Sequence, residues 1–279
     1  MAAGLVALLA LAPGARPARA DAPGDEPACA DSIHDPIGIG VRDAGLDLGR
    51  GACGRDEVRI RLGGRAAIDT PAFYGALGGG LSIDARFTRA AWEWGVGADV
   101  LDVTFAQNAV IKATMSRLGP IHVHLARTGA VPGRVGQRLR GRWALALAGW
   151  LPYSEDDLDL AGGGGQLGAT LSVVPQRRLT LHVRTHALGW ITGSLAGRTR
   201  AAAVAAGADL VVNTWSWLDL GAGVDAQAGW RGGFDHLLVR FAGHWRVFGP
   251  FRGELGGALR LIGDERTDLV IIAGVRRDL

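Results

Sequence analysis

Lysine is almost absent from this sequence. Of its 30 basic residues only Lys112 is a lysine and the rest are arginines. The formal charge of +3 is small and evenly spread, and no basic tract carries interleaved aromatics, which excludes the ordinary nucleic-acid binders. Cysteine occurs twice, at Cys29 and Cys53, and no Cys/His spacing matches a structural zinc site. Long apolar runs are missing too. Past the first twenty residues no stretch reaches the eighteen or so apolar residues that a membrane helix needs. The longest candidate, Ala201 to Val212, is broken by Gly207 and Asp209. Serine is scarce, and none sits in a Gly-x-Ser-x-Gly elbow, so a nucleophile elbow is absent. The Gly162 to Gly165 run lacks the following Lys-Ser/Thr of a phosphate loop. No cofactor and no catalytic residue is expected.

Glycine, by contrast, is abundant at 44 residues, with 11 prolines. Each glycine weakens a helix interior by about 1 kcal/mol, so a helical bundle is disfavoured. Strands with close backbone approach tolerate it. Residues 1–20 read as an export signal, with apolar Ala2 to Ala12 and a small-x-small cleavage site at Ala18-Arg19-Ala20, though without a basic start. Residues 21–56 are rich in Gly, Asp and Pro and read as an N-terminal periplasmic extension. An exported chain meets an oxidising compartment, so a Cys29–Cys53 disulfide is expected to tie this extension.

From residue 57 onward, period-two alternation repeats to the end. Val58, Ile60 and Leu62 alternate with Arg59 and Arg61. Leu139, Trp143, Leu145, Leu147 and Leu151 alternate with Arg138, Arg140, Arg142 and a run of alanines. Leu179, Leu181 and Val183 alternate with Thr180, His182, Arg184 and His186. Leu237, Val239, Phe241, Trp245 and Val247 alternate with Arg240, His244 and Arg246. About twelve such segments are expected, most of ten residues or more; residues 106–117 read either as a loop or as a strand extension. Soluble strands average about five or six residues, whereas a tilted strand crossing a bilayer takes about 9–11. The fold class predicted is therefore all-β, a closed antiparallel transmembrane β-barrel over residues 57–279. Both termini are placed on the periplasmic side, because short connections alternate with longer ones when counted back from the C-terminus. The exception is Gly129 to Gln137, a long connection on the short side. Tryptophans gather near strand ends: Trp150, Trp190 and Trp230 at one side, Trp92, Trp94, Trp215, Trp217 and Trp245 at the other. Two girdles of amphipathic rings suit two membrane interfaces.

Signal, alternation, strand length, girdles and loop asymmetry together resemble the outer-membrane β-barrel superfamily. The resemblance is one of pattern and covers residues 57–279. It implies export to the cell outer membrane, contact with outer-membrane lipid and insertion by the barrel-assembly machinery. The chain departs from the usual aromatic ending, finishing Arg276-Arg277-Asp278-Leu279.

If the apolar parity faces lipid, the polar parity lines the interior. That lining includes Arg138, Arg140, Arg142, Arg184, Arg240 and Arg246, with His122, His124, His182, His186 and His244. Counted over all strands, fourteen arginines face seven acids, so the lumen is expected to be basic and to favour small anionic solutes. The histidine pairs at i, i+2 and i, i+4 point to one face each and read as lumen hydrogen-bonding groups rather than metal ligands. Asp156-Asp157-Leu158-Asp159 reads as a solvated acidic loop. Gly95, Gly97, Gly221 and Gly223, with Ala144, Ala146 and Ala148, suggest an open interior. Two function classes follow: a passive-diffusion or transport channel, and a non-conducting structural or surface-interaction barrel with a filled interior.

Overall fold

In a computed structural model, described for residues 52–54, 56–69, 74–107, 112–117, 121–151, 163–192, 199–229, 234–263 and 269–279, the chain forms one antiparallel sheet closed on itself. The strands are β1 (Glu57–Asp69), β2 (Tyr74–Arg89), β3 (Trp92–Gln107), β4 (Lys112–Arg117), β5 (Ile121–Ala130), β6 (Arg142–Leu151), β7 (Gly163–Gln176), β8 (Leu179–Thr192), β9 (Thr199–Trp215), β10 (Leu218–Gly229), β11 (Phe234–Phe248), β12 (Phe251–Gly263) and β13 (Leu269–Asp278). Strands β4 and β5 share one position. The first pairs with Asp102–Gln107 of β3 and the second with Trp92–Ala98, so thirteen strands occupy twelve positions of the barrel. The sequence-ambiguous stretch is thus strand at Lys112–Arg117, the outer half of that interrupted wall. Closure comes from β1 pairing with β13, Glu57 opposite Asp278 through Ala66 opposite Leu269. A closed sheet leaves no unpaired edge, which is what a bilayer without water demands.

The alternation in sequence becomes an alternation of exposure. In β6, Ala146, Ala148 and Trp150 are buried, while Leu145, Leu147 and Leu151 are exposed. Outward apolar residues recur on the strands whose side chains are described, Leu62, Val123, Leu167, Val183, Val224, Phe241, Leu255 and Ile271 among them. In β3 the pattern slips at a bulge: Leu81 opposes Leu101 but Ser82 opposes Asp99, leaving Val100 as the extra residue. The slip keeps both Val96 before it and Phe105 after it on the outer face, as an inserted residue must when side chains alternate with period two.

The end where β1 starts and β13 finishes has two-residue turns at 90–91, 177–178, 216–217 and 249–250, the form of periplasmic turns in outer-membrane barrels. Its one long connection, 131–141, contains the short helix α1 (Gly133–Arg138). That connection is pinned: the Val131 amide donates to the Gly141 carbonyl, Gly141 to Gly136, and Val174 of β7 to Leu139, each at 2.8 Å. The connections of the opposite end, including Asp156 to Asp159, lie outside the described residues, as do the signal segment and Cys29.

Aromatic rings band the outer face near the periplasmic end. Trp215 and Trp217 stack at 5.6 Å and Phe87 and Trp94 at 4.6 Å. Trp143 lies flat over Gly129 of the neighbouring strand and donates through Nε1 to the Ala130 carbonyl at 3.1 Å. Trp150 departs from the expected girdle: it points inward and is 2% exposed, with Ala148, Leu188 and Ala203 around it. The parity of β6, set by its pairing with β5, turns it in. The side chains of Trp190 and Trp230 are outside the described residues.

Leu147 sits mid-strand on the outer face at 59% exposure. Leu147→Arg is expected to destabilise the barrel in phospholipid vesicles by about 2–4 kcal/mol, the usual effect of a lipid-facing mid-bilayer arginine. Denaturant unfolding followed by tryptophan fluorescence measures it; a change under about 0.5 kcal/mol would place Leu147 away from lipid.

Candidate functional site in the barrel interior

Inward positions of a barrel alternate along each strand, so polar side chains from adjacent strands fall into cross-strand rows. In this chain those rows repeat one arrangement: a charged or histidine side chain, a glycine on the strand between, and an opposite partner beyond it. Arg61 of β1 and Glu254 of β12 are both opposite Gly274 of β13, and Arg61 Nε donates to Glu254 Oε1 at 2.6 Å across it. Asp84 of β2 and His122 of β5 are both opposite Gly97 of β3, with Asp84 Oδ1 and His122 Nε2 at 2.5 Å. Arg184 of β8 and Asp225 of β10 flank Gly207 of β9, joined Nη2 to Oδ2 at 2.9 Å. Asp209 and Arg240 flank Gly223 in the same way. The reason for glycine is clearance. A Cβ at Gly97 would collide with both Asp84 and His122, and one at Gly274 would lie 2.6 Å from Glu254 Oε1 and 2.9 Å from the Arg61 stem.

The pairs gather into two clusters. One spans β12, β13, β1, β2, β3 and β5. There Arg59 meets Glu57 at 3.0 Å, Arg61 meets Asp84 at 3.6 Å, Arg86 meets Glu93 at 3.5 Å, and His124 meets Glu93 at 3.0 Å. The other spans β8 to β11. Arg184 reaches Asp209 at 2.7 Å and Asp225 at 2.9 Å, and Arg240 reaches Asp225 at 3.1 Å. Every one of these pairs joins residues of the same strand, neighbouring strands or next neighbours. The charges lie along the wall; none of these pairs runs from one side of the barrel to the other.

Residues 52–54 and 56 lie in the mouth of the barrel at the end of the two-residue turns. The Ala52 amide donates to Ser172 Oγ of β7 at 2.9 Å, and Ala52 is 0% exposed. Gly54 fits against Thr88 of β2, where a Cβ would come within 2.9 Å of the threonine side chain. The Asp56 carboxylate accepts from the Thr88 amide, and its carbonyl accepts from the Leu279 amide at 2.9 Å. Residues 52–54 and 56 therefore reach from the β7 wall to the corner where β1, β2 and β13 meet. Cys53, buried in this strap, is disulfide-bonded, and Cys29 is the other cysteine of the sequence.

The residues picked from sequence divide as follows. His122, His124, His182, Arg184, His186, Arg240 and His244 are on inward strand positions. Arg142 opens β6 on the inward parity, and Arg246 is exposed at the periplasmic end of β11. Arg138 and Arg140 are not in a strand: Arg138 ends α1, and Arg140 has φ 46°, a left-handed conformation that a strand residue does not adopt. Both are exposed. Conversely Glu57, Asp209 and Asp278 lie inward, where sequence alternation alone had not put them. The small residues expected to open the lumen behave otherwise: Gly97 and Gly223 are roofed by their neighbours' side chains. Sequence reasoning also missed the contact of Ser172 Oγ with His182 Nδ1 at 2.8 Å. The two are cross-strand partners, and a spacing of ten residues over a tight turn was the available signal. Ser172 is fully buried beneath Ala52, so no substrate carbonyl reaches it. Among the described residues no three His, Cys, Asp or Glu converge as a metal-holding group.

No family model and no curated protein matches the chain. Solved structures do. An outer-membrane channel from Pseudomonas putida F1 superposes with a TM-score of 0.59 at 10% identity, over 81% of this chain and 96% of that one. The translocator domain of the autotransporter NalP from Neisseria meningitidis gives 0.55 at 12% identity, over 82% and 89%. The NanC porin gives 0.51 at 9% identity, over 80% and 100%. At such identities the likeness concerns architecture. The chain folds as an outer-membrane β-barrel of twelve strand positions.

Arg184 holds two buried carboxylates. Arg184→Met is expected to lower stability by about 3–5 kcal/mol, the effect of stranding buried charge. Adding Asp209→Asn should recover part of the loss. Vesicle unfolding of Arg184→Met, Asp209→Asn and the double variant measures both; full additivity would mean that Arg184 and Asp209 are not coupled.

Proposed function

We propose that this protein is an outer-membrane channel for small polar solutes, with a mild preference for anions and a periplasmic mouth narrowed by its own N-terminal strap. The observation that carries this reading is the direction of the ion pairs. A barrel filled as a structural core brings side chains together across its middle. Here the described ion pairs run along the wall, laid over glycines, and their side chains are buried, Arg59 at 0% and Asp209 at 1% exposure, so the passage proposed is a narrow one. The architecture shared with an outer-membrane channel and with the NanC porin supports the same reading.

The anion preference should be mild. Among the described residues, Arg138, Arg140 and Arg178 leave the inward set counted from sequence and Glu57, Asp209 and Asp278 join the acids, which shrinks the excess of bases. Most inward arginines are neutralised by a carboxylate within the wall. Arg142 and Arg246 stand at the mouth.

Planar-bilayer recording of the purified protein tests the proposal. Stepwise conductance is expected, with a reversal potential slightly on the anion side in a salt gradient. Arg142→Gln with Arg246→Gln should move that potential toward the cation side. Deleting residues 29–54 should raise the unit conductance, because it removes the segment that crosses the mouth. Absence of conductance steps in both the wild type and the deletion would favour the second class, a closed barrel.

A further inference from the structure

The arginines whose side chains are described as exposed lie at the periplasmic end of the barrel, and the function proposed above uses few of them. Arg89 closes β2, Arg127 is near the end of β5, Arg138 and Arg140 stand on the connection that carries α1, and Arg177 and Arg178 form the turn after β7. These positions follow one another around half the rim, from β2 to β8. The Val174 amide bonded to the Leu139 carbonyl brings the α1 connection against the start of the Arg177-Arg178 turn. Opposing carboxylates are scarce. Residues 103–154 and 160–208, which supply β5 to β8, contain no Asp or Glu. Among the described residues the exposed carboxylate is that of Asp56, and it accepts from the Thr88 amide.

We infer that this arc binds the phosphate groups of anionic phospholipid in the periplasmic leaflet surrounding the barrel. The ligand is lipid rather than a soluble anion because of where the guanidinium groups stand. Arg127 follows Val123 and Leu125 on the outward parity of β5, and its guanidinium lies 5.6 Å from the exposed Trp92 ring centre. Arg277 of β13 lies over Phe251 of β12 in the same manner, at 6.0 Å. Tryptophan and phenylalanine bands mark the depth at which headgroups pack around a barrel. An arginine stacked on an outward ring at that depth presents its donors to headgroup oxygens, and its planar fork matches two phosphate oxygens at once. Arg140 adds a second kind of observation. A left-handed backbone suits glycine, yet an exposed arginine occupies it one residue before Gly141. The α1 connection is also held by three backbone hydrogen bonds, so it presents Arg138 and Arg140 from a fixed platform.

Native mass spectrometry of the detergent-solubilised full chain, offered equimolar phosphatidylglycerol and phosphatidylcholine, reads this directly. Phosphatidylglycerol adducts should outnumber phosphatidylcholine adducts several-fold. The variant Arg127→Gln/Arg138→Gln/Arg177→Gln/Arg178→Gln should bring the two near parity, while Arg127→Gln alone should give an intermediate ratio. The corresponding four arginine-to-lysine changes should retain most of the preference. Heat-dependent mobility on denaturing gels shows that each variant is folded, and the single and lysine variants keep the test intact if the fourfold glutamine variant is not. Millimolar inorganic phosphate should leave the lipid adducts in place. Near parity in the wild type, a preference unchanged in the folded glutamine variants, or displacement of the lipid by inorganic phosphate would overturn the inference. Conductance enters none of these readouts, so the channel reading and the lipid site stand or fall separately.

Discussion

A charge inside a membrane barrel has to find its counter-charge within reach of the wall, and most of this structure follows from that requirement. Arginine cannot shed its proton to escape burial, and an unpaired buried charge is strongly unfavourable. Strand neighbours alone do not meet the need, because a long side chain facing inward from one strand overlies the next. Placing glycine at that next position lets the guanidinium or carboxylate reach the strand beyond. Arg61 over Gly274 to Glu254, His122 over Gly97 to Asp84, and Arg184 over Gly207 to Asp225 are three uses of one solution.

Side chains that pair over a glycine lie along the sheet, and the charged groups paired in this way are buried. What crosses the mouth is main chain: Ala52 bonded to Ser172 on one side and Asp56 bonded to Thr88 and Leu279 on the other. The strap is anchored at both ends by hydrogen bonds to residues far away in sequence, and by a disulfide through Cys53. The outer surface obeys a separate logic. There apolar residues meet lipid, aromatic rings mark the interface, and arginines such as Arg127 stand over those rings.

Much of the architecture was legible in the sequence because a bilayer imposes two strict rules, a minimum strand length and an apolar outward parity. Twelve segments and their faces follow from those rules alone. The boundaries failed where a competing hydrogen-bond pattern intervened. The alternation of residues 138–142 reads as strand, yet α1 and the left-handed Arg140 occupy it, and β6 begins at Arg142. Trp150 failed for a different reason: position near a strand end suggested a girdle, whereas the parity of β6 turns the ring inward. The charge balance failed because Glu57, Asp209 and Asp278 sit at or near places where the simple alternation is hard to phase, at strand ends and within an alanine-rich strand.

The sequence by itself determined which side chains turn toward lipid and which turn inward, because that choice depends only on period-two geometry and the cost of a charge in hydrocarbon. Only the tertiary structure decided which inward charges meet. Arg61 and Glu254 are separated by 193 residues and Arg184 and Asp225 by 41. Their contact depends on the register of three strands and, for the first pair, on closure of the sheet between β1 and β13. Register and closure are properties of the whole ring, which no single strand's pattern contains.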